Sequence, residues 1–474
     1  MDRRTRVLVV AIVVSFIAFL DGAVINVALP ALAAEFGGGL ALQQWAVDAY
    51  LLTLGSLILL AGSLSDSFGR LRVIRFGLYG FAATSMLCAL APDGVLFVLA
   101  RALQGAAGAL LVPSSLALII STFPHAEQGR AIGRWTAWTT AAFLVGPLFG
   151  GVLVDLVSWR LVFWINLLPI AVVLIVMRAL GRDEPNPYRE RIDWTGAALG
   201  VAGLGGTVFA LIECGRFGWG SPVVLVPLIA GIAALVAFVW WEHRAPQPML
   251  PLSLFGARNF AAGNLATFFI YASFALGPFV MTIFLQETGG FSATLAGLAT
   301  LPPTVMLVLL GSWFGERSTR WGPRILMTLG PITVAAGYLL TLTVQRELDY
   351  WLQFLPGILV AGLGMAMTVA PLTSAILGAV DPARAGIGSA VNNAVARIAG
   401  LLAVASIGAI VGAQLDLDGY HRAAIAVAAF LVVGGAISWI GIRNPPLATG
   451  ASSSELPSTA PAPPHPGGRP SASE

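Results

Sequence analysis

Apolar stretches of about 20 residues follow one another along almost the whole 474-residue chain, separated by short polar breaks. Each stretch is long enough to cross the hydrocarbon core of a bilayer as an α-helix. Only 10% of the residues are charged and 57% are apolar, which excludes an ordinary soluble domain. The sequence therefore predicts an all-α polytopic membrane protein with fourteen transmembrane helices, near residues 7–30, 44–63, 73–91, 95–120, 131–154, 159–180, 194–213, 221–241, 260–285, 292–314, 323–344, 350–377, 387–413 and 421–442.

The positions of the arginines support this count and set the topology. With the amino terminus in the cytoplasm, nearly all loop arginines lie on the cytoplasmic side, as the positive-inside rule requires. One missing span would reverse every later loop, so both termini are predicted to be cytoplasmic. The arginines outside this pattern are Arg160, Arg216, Arg346 and Arg422 in loops on the other side, with Arg101 and Arg397 inside spans.

A short polar segment occurs twice. Gly62–Gly69 (GSLSDSFG) and Gly315–Gly322 (GERSTRWG) are each followed by an arginine and an apolar run. The two copies are farther apart in the sequence than six spans with short loops would place them. The extra residues are enough for two more helices. Parallel six-span repeats are a known transporter architecture, with the substrate site between the halves. The predicted domains are a six-helix half at 1–180, a cytoplasmic linker at 181–193, two additional helices at 194–242, a linker at 243–259, a second six-helix half at 260–443 and a proline-rich, disordered tail at 444–474.

The first copy of this segment is a candidate gating element. Its glycines allow a tight turn, and Asp66 can pair with an arginine or accept hydrogen bonds at a helix N-terminus. One interpretation is a latch between helices. The other is a solvated turn whose charges only fix topology. The gating candidates in this segment are Gly62, Asp66, Gly69 and Arg70.

Asp21 in the first span and Arg101 in the fourth are the best-placed ionisable residues. An ionisable side chain near the bilayer centre costs roughly 2.5–3.5 kcal/mol on insertion scales, so each needs a partner or a water-filled cavity. Arg101, Gln104, Gly105 and Gly108 share one helix face, which should look into the bundle. Pairing with an arginine lowers the pKa of a carboxyl group, and desolvation without a partner raises it. A carboxylate that is paired in one conformation and desolvated in the other could therefore load and release a proton. The alternative is a structural polar pair that fixes helix register.

The other polar residues within the spans have two interpretations each. Asp48 lies between Trp45 and Tyr50 near one end of the second span, which favours an interfacial position. Arg397 could line a cavity or extend its head group to the cytoplasmic surface. The neutral residues are either substrate contacts or helix–helix hydrogen-bonding groups. The candidate substrate-pocket residues are Asn26, Gln104, Asn264, Tyr271, Asn392, Asn393 and Arg397.

The fifth span carries small residues at helical spacing. Ala142, Gly146 and Gly150 form a stripe that lets another backbone approach closely, and Pro147 adds a local bend. The stripe is either a rigid helix contact or a sealing surface that sets the direction of transport. Its gating candidates are Gly146, Pro147, Gly150 and Gly151.

The composition disfavours several kinds of site. The two cysteines, Cys88 and Cys214, lie alone in apolar runs, and the four histidines show no pair at metal-ligand spacing. We therefore expect no metal and no catalytic site. No G-x-x-x-x-G-K-[ST] segment is present, so ATP binding is not expected. A net charge of +3 reflects topology, and no nucleic-acid partner is inferred from it.

Four segments, in order and on the predicted spans, resemble signatures of the major facilitator superfamily, specifically its fourteen-span drug:proton antiporter-2 family. Residues 62–72 resemble the loop signature G-x-L-a-D-r-x-G-r-r, with Ser67 at a usually basic position. Residues 101–105 (RALQG) resemble R-x-x-Q-G. Residues 133–151 resemble the antiporter signature G-x8-G-x3-G-P-x2-G-G, with an alanine at position 142 in place of one glycine. Residues 20–30 (LDGAVINVALP) are similar to the first-span motif, where threonine is common at the position of Ala23.

The resemblance implies a proton-coupled antiporter that exports hydrophobic or cationic drugs and antibiotics, with Asp21 and Arg101 in proton coupling. It implies a small amphipathic substrate, no cofactor besides the proton gradient, and function as a monomer in the lipid bilayer of a bacterial cytoplasmic membrane. Because the spans lack a second well-placed buried carboxylate, neutral or monocationic substrates are favoured over dicationic ones.

Three alternatives stay open. An exporter dedicated to an endogenous lipid, siderophore or self-made antibiotic would use the same signatures. A nutrient symporter is disfavoured by the small residues of the fifth span. A polytopic membrane enzyme should show clustered acidic or histidine residues on one aqueous face, and the sequence shows none.

Overall fold

The computed structural model describes residues 2–181, 192–381, 384–412 and 415–444, and within those ranges every regular element is helical. The helices before residue 182 are α1 (Arg3–Phe36), α2 (Gly39–Phe68), α3 (Arg70–Ala89), α4 (Gly94–Ala109), α5 (Val112–Thr122), α6 (His125–Leu156), α7 (Leu161–Trp164) and α8 (Leu167–Arg178). The later helices are α9 (Trp194–Phe217), α10 (Pro222–Arg244), α11 (Arg258–Glu287), α12 (Ala293–Ala299), α13 (Pro302–Trp321), α14 (Pro323–Leu340), α15 (Leu355–Leu377), α16 (Ala385–Ala405), α17 (Ile407–Val411) and α18 (Leu417–Gly441).

These helices occupy all fourteen predicted spans, which confirms the all-α membrane fold. Within the described residues, 13 helical segments are long and apolar enough to cross a bilayer. The helix at the third predicted span, α3, is not among them. Three arginines in its first turns, Arg70, Arg72 and Arg75, make it less apolar than the others.

Four of the predicted spans contain a break between two helices: α4 and α5, α7 and α8, α12 and α13, and α16 and α17. At three of these breaks a proline lies in the first turn of the second helix, Pro113 in α5, Pro169 in α8 and Pro302 in α13. Proline has no N–H to donate and fits the first helical turn, so it favours a new helix start.

The polar segment between the second and third spans is helical, so the expected loop of several residues is wrong. The helix α2 continues from Gly62 through Phe68, and α3 starts at Arg70. The connection is Gly69 alone, whose φ of 94° is a conformation that other residues rarely adopt. A single glycine in this conformation is enough to reverse the chain between the two helices.

Helix packing buries several separate apolar clusters. Buried side chains from both parts of the chain join in one cluster, among them Leu29, Phe97, Phe284 and Tyr420. The two additional helices pack on each other, and α9 also contacts α2, α16 and α17. On α10, large apolar side chains such as Ile229 and Val236 are exposed, as expected for a lipid-facing surface.

Two acidic residues face each other where α9 begins and α10 ends. Asp193 caps α9 by accepting from the Gly196 N–H at 2.8 Å and also accepts from the Trp241 indole at 2.8 Å. Glu242 is 2% exposed and accepts from the Leu250 N–H at 3.0 Å. Each carboxyl keeps one buried oxygen without a hydrogen-bond partner, and both oxygens lie within 3 Å of the point where a Cβ on Gly196 would stand.

Helices before residue 182 meet helices after residue 191 in several places, among them α2 against α16 and α6 against α12. At the first, Gln44 of α2 donates to the carbonyls of Val404 and Ala405 on α16, at 2.9 and 2.8 Å. At the second, α6 contacts the short helix α12.

The predicted domain boundaries stay predictions. Apart from Gly181, Ile192 and Asp193, the linker predicted at 181–193 lies outside the described residues, as does the tail predicted at 444–474 apart from Asn444. The linker predicted at 243–259 contains the end of α10 and a 3-10 turn at Leu252–Gly256.

Candidate functional site

The centre of the site is an ion pair between α1 and α4. Nη1 of Arg101 donates to Oδ2 of Asp21 at 2.6 Å. Neither side chain is more than 1% exposed. Two charges in the apolar interior are tolerated only when they are paired and hydrogen-bonded, and this pair meets that condition. The predicted meeting of Asp21 and Arg101 is therefore observed.

Three neutral side chains complete the polar network around this pair. Gln104 donates to Oδ1 of Asp21 at 2.9 Å and accepts from Arg101 at 2.6 Å. Asn166 donates to the same Asp21 oxygen at 3.0 Å. Gln104 also donates to the hydroxyl of Ser85 at 2.9 Å. Asp21 thus accepts from one guanidinium and two amides, so both of its carboxyl oxygens have donors in this conformation.

Arg101 is further fixed by backbone and aromatic contacts. Its Nε donates to the carbonyl of Ala46 on α2 at 2.9 Å. Its guanidinium lies 4.5 Å from the ring centroid of Tyr50 and 5.7 Å from that of Phe163. Gly105 lets α4 approach the Tyr50 carbonyl so closely that a Cβ there would clash. The close helix contact brings Arg101 within reach of the α2 backbone.

Gln104 has a different position from the one expected of a substrate-pocket residue. It is buried inside the network with no exposed surface, so in this conformation it positions Asp21 instead of lining an open space. Ser85 and Asn166 were not singled out from the sequence. The only signal was a neutral polar residue within an apolar span, which most often marks a helix–helix hydrogen bond.

Asp48 is not interfacial, which corrects the expectation from the sequence. Its side chain is 0% exposed, and neither carboxyl oxygen has a hydrogen-bond partner in the structure. The aromatic residue beside it, Trp45, donates to Glu213 of α9 at 3.0 Å. One of the additional helices therefore covers this part of α2.

The asparagines of α11 and α16 form a smaller polar cluster. Asn392 donates to Asn264 at 3.2 Å and to the hydroxyl of Thr267 at 2.9 Å. Asn264 is 2% exposed and donates to the carbonyl of Phe260 on its own helix. For these two asparagines the helix–helix interpretation fits better. Asn26 and Asn393 are half-buried.

Arg397 lies where four helices meet. Its guanidinium is 5.2 Å from the ring centroid of Phe19 on α1, and its Cβ faces Gly55 of α2. The phenol groups of Tyr50 and Tyr271 are within electrostatic range of it. The side chain is partly exposed, and its neighbours lie on α1, α2 and α11.

The small-residue stripe of α6 packs as a close helix contact. A Cβ on Gly146 would lie 2.8 Å from the Cβ of Ala23, and one on Gly150 would clash with Val24, both on α1. Pro147 lies inside α6, where its carbonyl approaches Gly297 of α12.

The end of α6 makes the contact with α12. On Gly151, a Cβ would lie 2.6 Å from the carbonyl of Ala293. One turn later, Asp155 accepts from the N–H groups of Ala293 and Thr294 at 3.0 and 2.8 Å. A side chain of α6 therefore caps the N-terminus of α12, a contact that the sequence did not reveal because Asp155 lies just past the predicted span.

The ion pair of Asp66 is local. Asp66 and Arg70 form an ion pair at 3.2 Å, one turn apart, with half-exposed side chains. Exposed pairs of this kind contribute about 0–1 kcal/mol, so this pair by itself is a weak latch. The gating role of Gly62, Asp66, Gly69 and Arg70 stays a prediction.

Metal ligands do not cluster in the part of the chain that the structure describes, where no three His, Cys, Asp or Glu side chains are grouped closely enough to hold an ion. The polar network instead places one carboxylate between a fixed cation and two amides. Such an arrangement can bind or release a proton at one site when the helices that hold the donors move.

Comparisons with known proteins point to one family. A family model described as the Major Facilitator Superfamily matches residues 11–404. The methylenomycin A resistance protein of Bacillus subtilis is 34% identical over 436 residues, 91% of this chain and 92% of the relative. The multidrug resistance protein Stp of Mycobacterium tuberculosis is 32% identical over 403 residues, 85% of this chain and 74% of the relative. A probable actinorhodin transporter of Streptomyces coelicolor is 35% identical over 435 residues, 86% of this chain and 74% of the relative.

Solved structures share the fold. An inward-facing, unoccupied bacterial homolog of the human lysosomal transporter Spinster superposes with a TM-score of 0.68 at 18% identity, over 93% of this chain and 97% of that one. A D-xylose-proton symporter gives a TM-score of 0.67 at 15% identity, over 94% and 99%. At such identities the likeness concerns the fold alone.

Proposed function

Because the chain belongs to the Major Facilitator Superfamily, we propose that it is a transporter that exports hydrophobic drugs or antibiotics in exchange for protons. Relatives that are 32–35% identical over most of their length are named for resistance to, or transport of, antibiotics and drugs. Their names support export, and the buried charge network supports proton coupling.

The observation that carries the proposal is the Asp21–Arg101 pair. With Asp21 ionised, the carboxylate holds α1 and α4 together through Arg101. Proton binding to Asp21 would remove the charge attraction and release the guanidinium to Gln104 and the Ala46 carbonyl, which already accept from it. The protonated and ionised proteins then favour different packings of α1 and α4. This difference links proton binding to a conformational change.

The proton gradient is large enough for this work. Moving one charge across the membrane is worth about 2.3 kcal/mol per 100 mV, so one proton at about 150 mV supports a substrate gradient of a few hundred-fold. No other energy source is required. Transport therefore needs only a carboxylate that is reached by protons from one side at a time.

We place the transporter in a bacterial cytoplasmic membrane, with both termini in the cytoplasm and the single chain as the functional unit. The arginine distribution along the sequence supports the orientation. The named relatives, all from bacteria, support the location.

The proposal is tested with acid-loaded inverted vesicles that contain the wild type, Asp21→Asn or the control Asp418→Asn, whose carboxylate is exposed at the start of α18. A panel of dyes and antibiotics is added and the internal pH is followed. We expect several compounds to discharge the pH gradient with the wild type and with Asp418→Asn, but not with Asp21→Asn. Equal discharge by Asp21→Asn would remove Asp21 from the mechanism.

A second candidate is export dedicated to one endogenous product. The relative named as an actinorhodin transporter favours it, because that name specifies a single compound. Substrate competition separates the two functions. A multidrug pump is inhibited by many unrelated compounds, whereas a dedicated exporter is inhibited only by close analogues of its product.

A further inference from the structure

Arg397 is a cationic residue within a membrane-spanning helix, and it forms no ion pair with the described residues. Within the described residues, the ion pairs join Arg4 with Glu127, Arg70 with Asp66, Arg101 with Asp21 and Arg160 with Glu35. Arg397 takes part in none of them and lies in the middle of a membrane-spanning segment, Gly386–Val411. A guanidinium in such a place is costly and marks a pairing partner or a functional site.

The nearby carboxylates are not available to Arg397. Asp21 already accepts from Arg101, Gln104 and Asn166 and is closed off from the space between the helices. Asp48 is completely buried and makes no contact with a cation in the described residues. The charge of Arg397 is therefore not neutralised by the protein in this conformation.

The surroundings of Arg397 are aromatic. The ring of Phe19 lies under its guanidinium, and Phe19 packs on Phe143 of α6 with ring centroids 5.7 Å apart. Tyr271, whose ring packs on Phe274 at 5.6 Å, lies on the α11 side. A cation beside aromatic rings suits a flat apolar molecule with one negatively charged group.

Resting on the proposed export function, we propose that Arg397 binds the acidic group of the substrate, so that the transported compounds include aromatic or otherwise apolar acids. A carboxylate or an acidic enol accepts two parallel hydrogen bonds from a guanidinium, a geometry that lysine cannot reproduce. The rings of Phe19 and Tyr271 hold the apolar part. The substrate supplies the counter-ion that the protein lacks.

This substrate class changes the energetics of transport. Export of a monoanion in exchange for one entering proton moves two charges across the membrane, whereas export of a neutral compound moves one. A change of about 60 mV in membrane potential then changes the largest substrate concentration ratio that transport can sustain. The change is about 100-fold for the acid and about tenfold for a neutral compound. The potential dependence of accumulation therefore reports the charge of the substrate.

The direct test is binding to the purified protein in lipid nanodiscs. The probes are pyrenebutyric acid and its N-methyl amide, which differ in charge and share the apolar part, and binding is followed by pyrene fluorescence. The proteins are the wild type, Arg397→Gln, Arg397→Lys and the control Arg422→Gln, whose guanidinium donates instead to the carbonyl of Val411 at 2.7 Å.

We expect the wild type and Arg422→Gln to bind the acid about tenfold more tightly than the amide, as for a charge-assisted pair. Arg397→Gln should bind the acid as weakly as the amide and leave amide binding unchanged, and Arg397→Lys should fall between. Equal binding of acid and amide by the wild type, or an equal loss of both in Arg397→Gln, overturns the proposal. The wild-type comparison decides the question even where Arg397→Gln does not fold.

Binding needs no proton gradient, so this result is separate from the export proposal. Acid-selective binding without proton-driven transport of either probe would contradict export and leave the role of Arg397 intact. Proton-driven transport of both probes without acid-selective binding would support export and contradict the role proposed for Arg397.

Discussion

The carboxylate of Asp21 and the guanidinium of Arg101, 80 residues apart in sequence, meet at 2.6 Å in a place that water does not reach. Removing one partner leaves the other charge buried and unpaired. We therefore expect Arg101→Met to lower the free energy of unfolding by about 3–5 kcal/mol. Adding Asp21→Asn should recover part of that loss. A double-mutant cycle of chemical unfolding in detergent measures the coupling, and simple additivity of the two changes would show that the pair contributes nothing jointly.

The two buried carboxyls of the first half should respond differently to the same change. Asp21 has three donors to lose, whereas Asp48 has none. Asp48→Asn replaces a buried carboxyl that has no donor, so it should leave the free energy of unfolding unchanged or raise it, while Asp21→Asn lowers it clearly. Melting of the two variants in the same detergent makes the comparison. A large loss in Asp48→Asn would reveal a partner that this conformation does not show.

Two glycines of α6 provide a matched pair. A Cβ on Gly151 would collide with the backbone of α12, whereas a Cβ on Gly133 would meet nothing within 4 Å. We expect Gly151→Ala to destabilise this packing by about 1–3 kcal/mol and Gly133→Ala to be neutral or stabilising by up to about 1 kcal/mol. Thermal unfolding of both variants tests this. Equal effects would mean that α6 and α12 are not in close contact in the membrane.

Asp155 should keep the junction of α6 and α12 closed. Asp155→Ala removes the acceptor of the N–H groups of Ala293 and Thr294, which as the loss of a helix cap costs about 0.5–2 kcal/mol. The opening can be followed at Ala296, which is 0% exposed. In an Ala296→Cys background, alkylation of the introduced thiol should be faster with Asp155→Ala than with Asp155→Asn, which keeps one acceptor oxygen. Identical rates would show that the cap does not control opening.

The facing carboxyls of α9 and α10 predict a stabilising change. Asp193 and Glu242 each keep one oxygen without a donor, side by side. Glu242→Gln adds an N–H that can donate to Asp193, so it should raise the free energy of unfolding by about 1 kcal/mol at neutral pH. The melting temperature measures the gain, with Glu242→Ala as the comparison that removes the oxygen without supplying a donor. A lower melting temperature for Glu242→Gln would contradict the assigned geometry.

Much of the fold was predictable because membrane spans are long and apolar. The span positions and the meeting of Asp21 with Arg101 follow from the few ionisable residues that the spans contain. The helical course of residues 62–68 was missed because polar residues and glycine, which indicate a loop in a soluble protein, here extend a membrane helix.

The partners of the charge network were harder to foresee. Ser85 and Asn166 are neutral residues in apolar runs, and their meeting with Asp21 depends on how α3 and α8 pack in three dimensions. Asp48 was placed wrongly because the aromatic residues around it are typical of a membrane interface. Contacts from α9 bury that region, and sequence periodicity does not contain them.

The link between α2 and Arg101 uses the carbonyl of Ala46, two residues from Gln44, which bonds the backbone of α16. A rotation of α2 that breaks the α16 contact also displaces the acceptor of Arg101. Because all three bonds end on main-chain oxygens, no side-chain replacement at Ala46, Val404 or Ala405 deletes an acceptor. The donors are side chains, so Gln44→Ala breaks the contact with α16, and the acceptor carbonyls themselves can be weakened only by replacing a backbone amide with an ester.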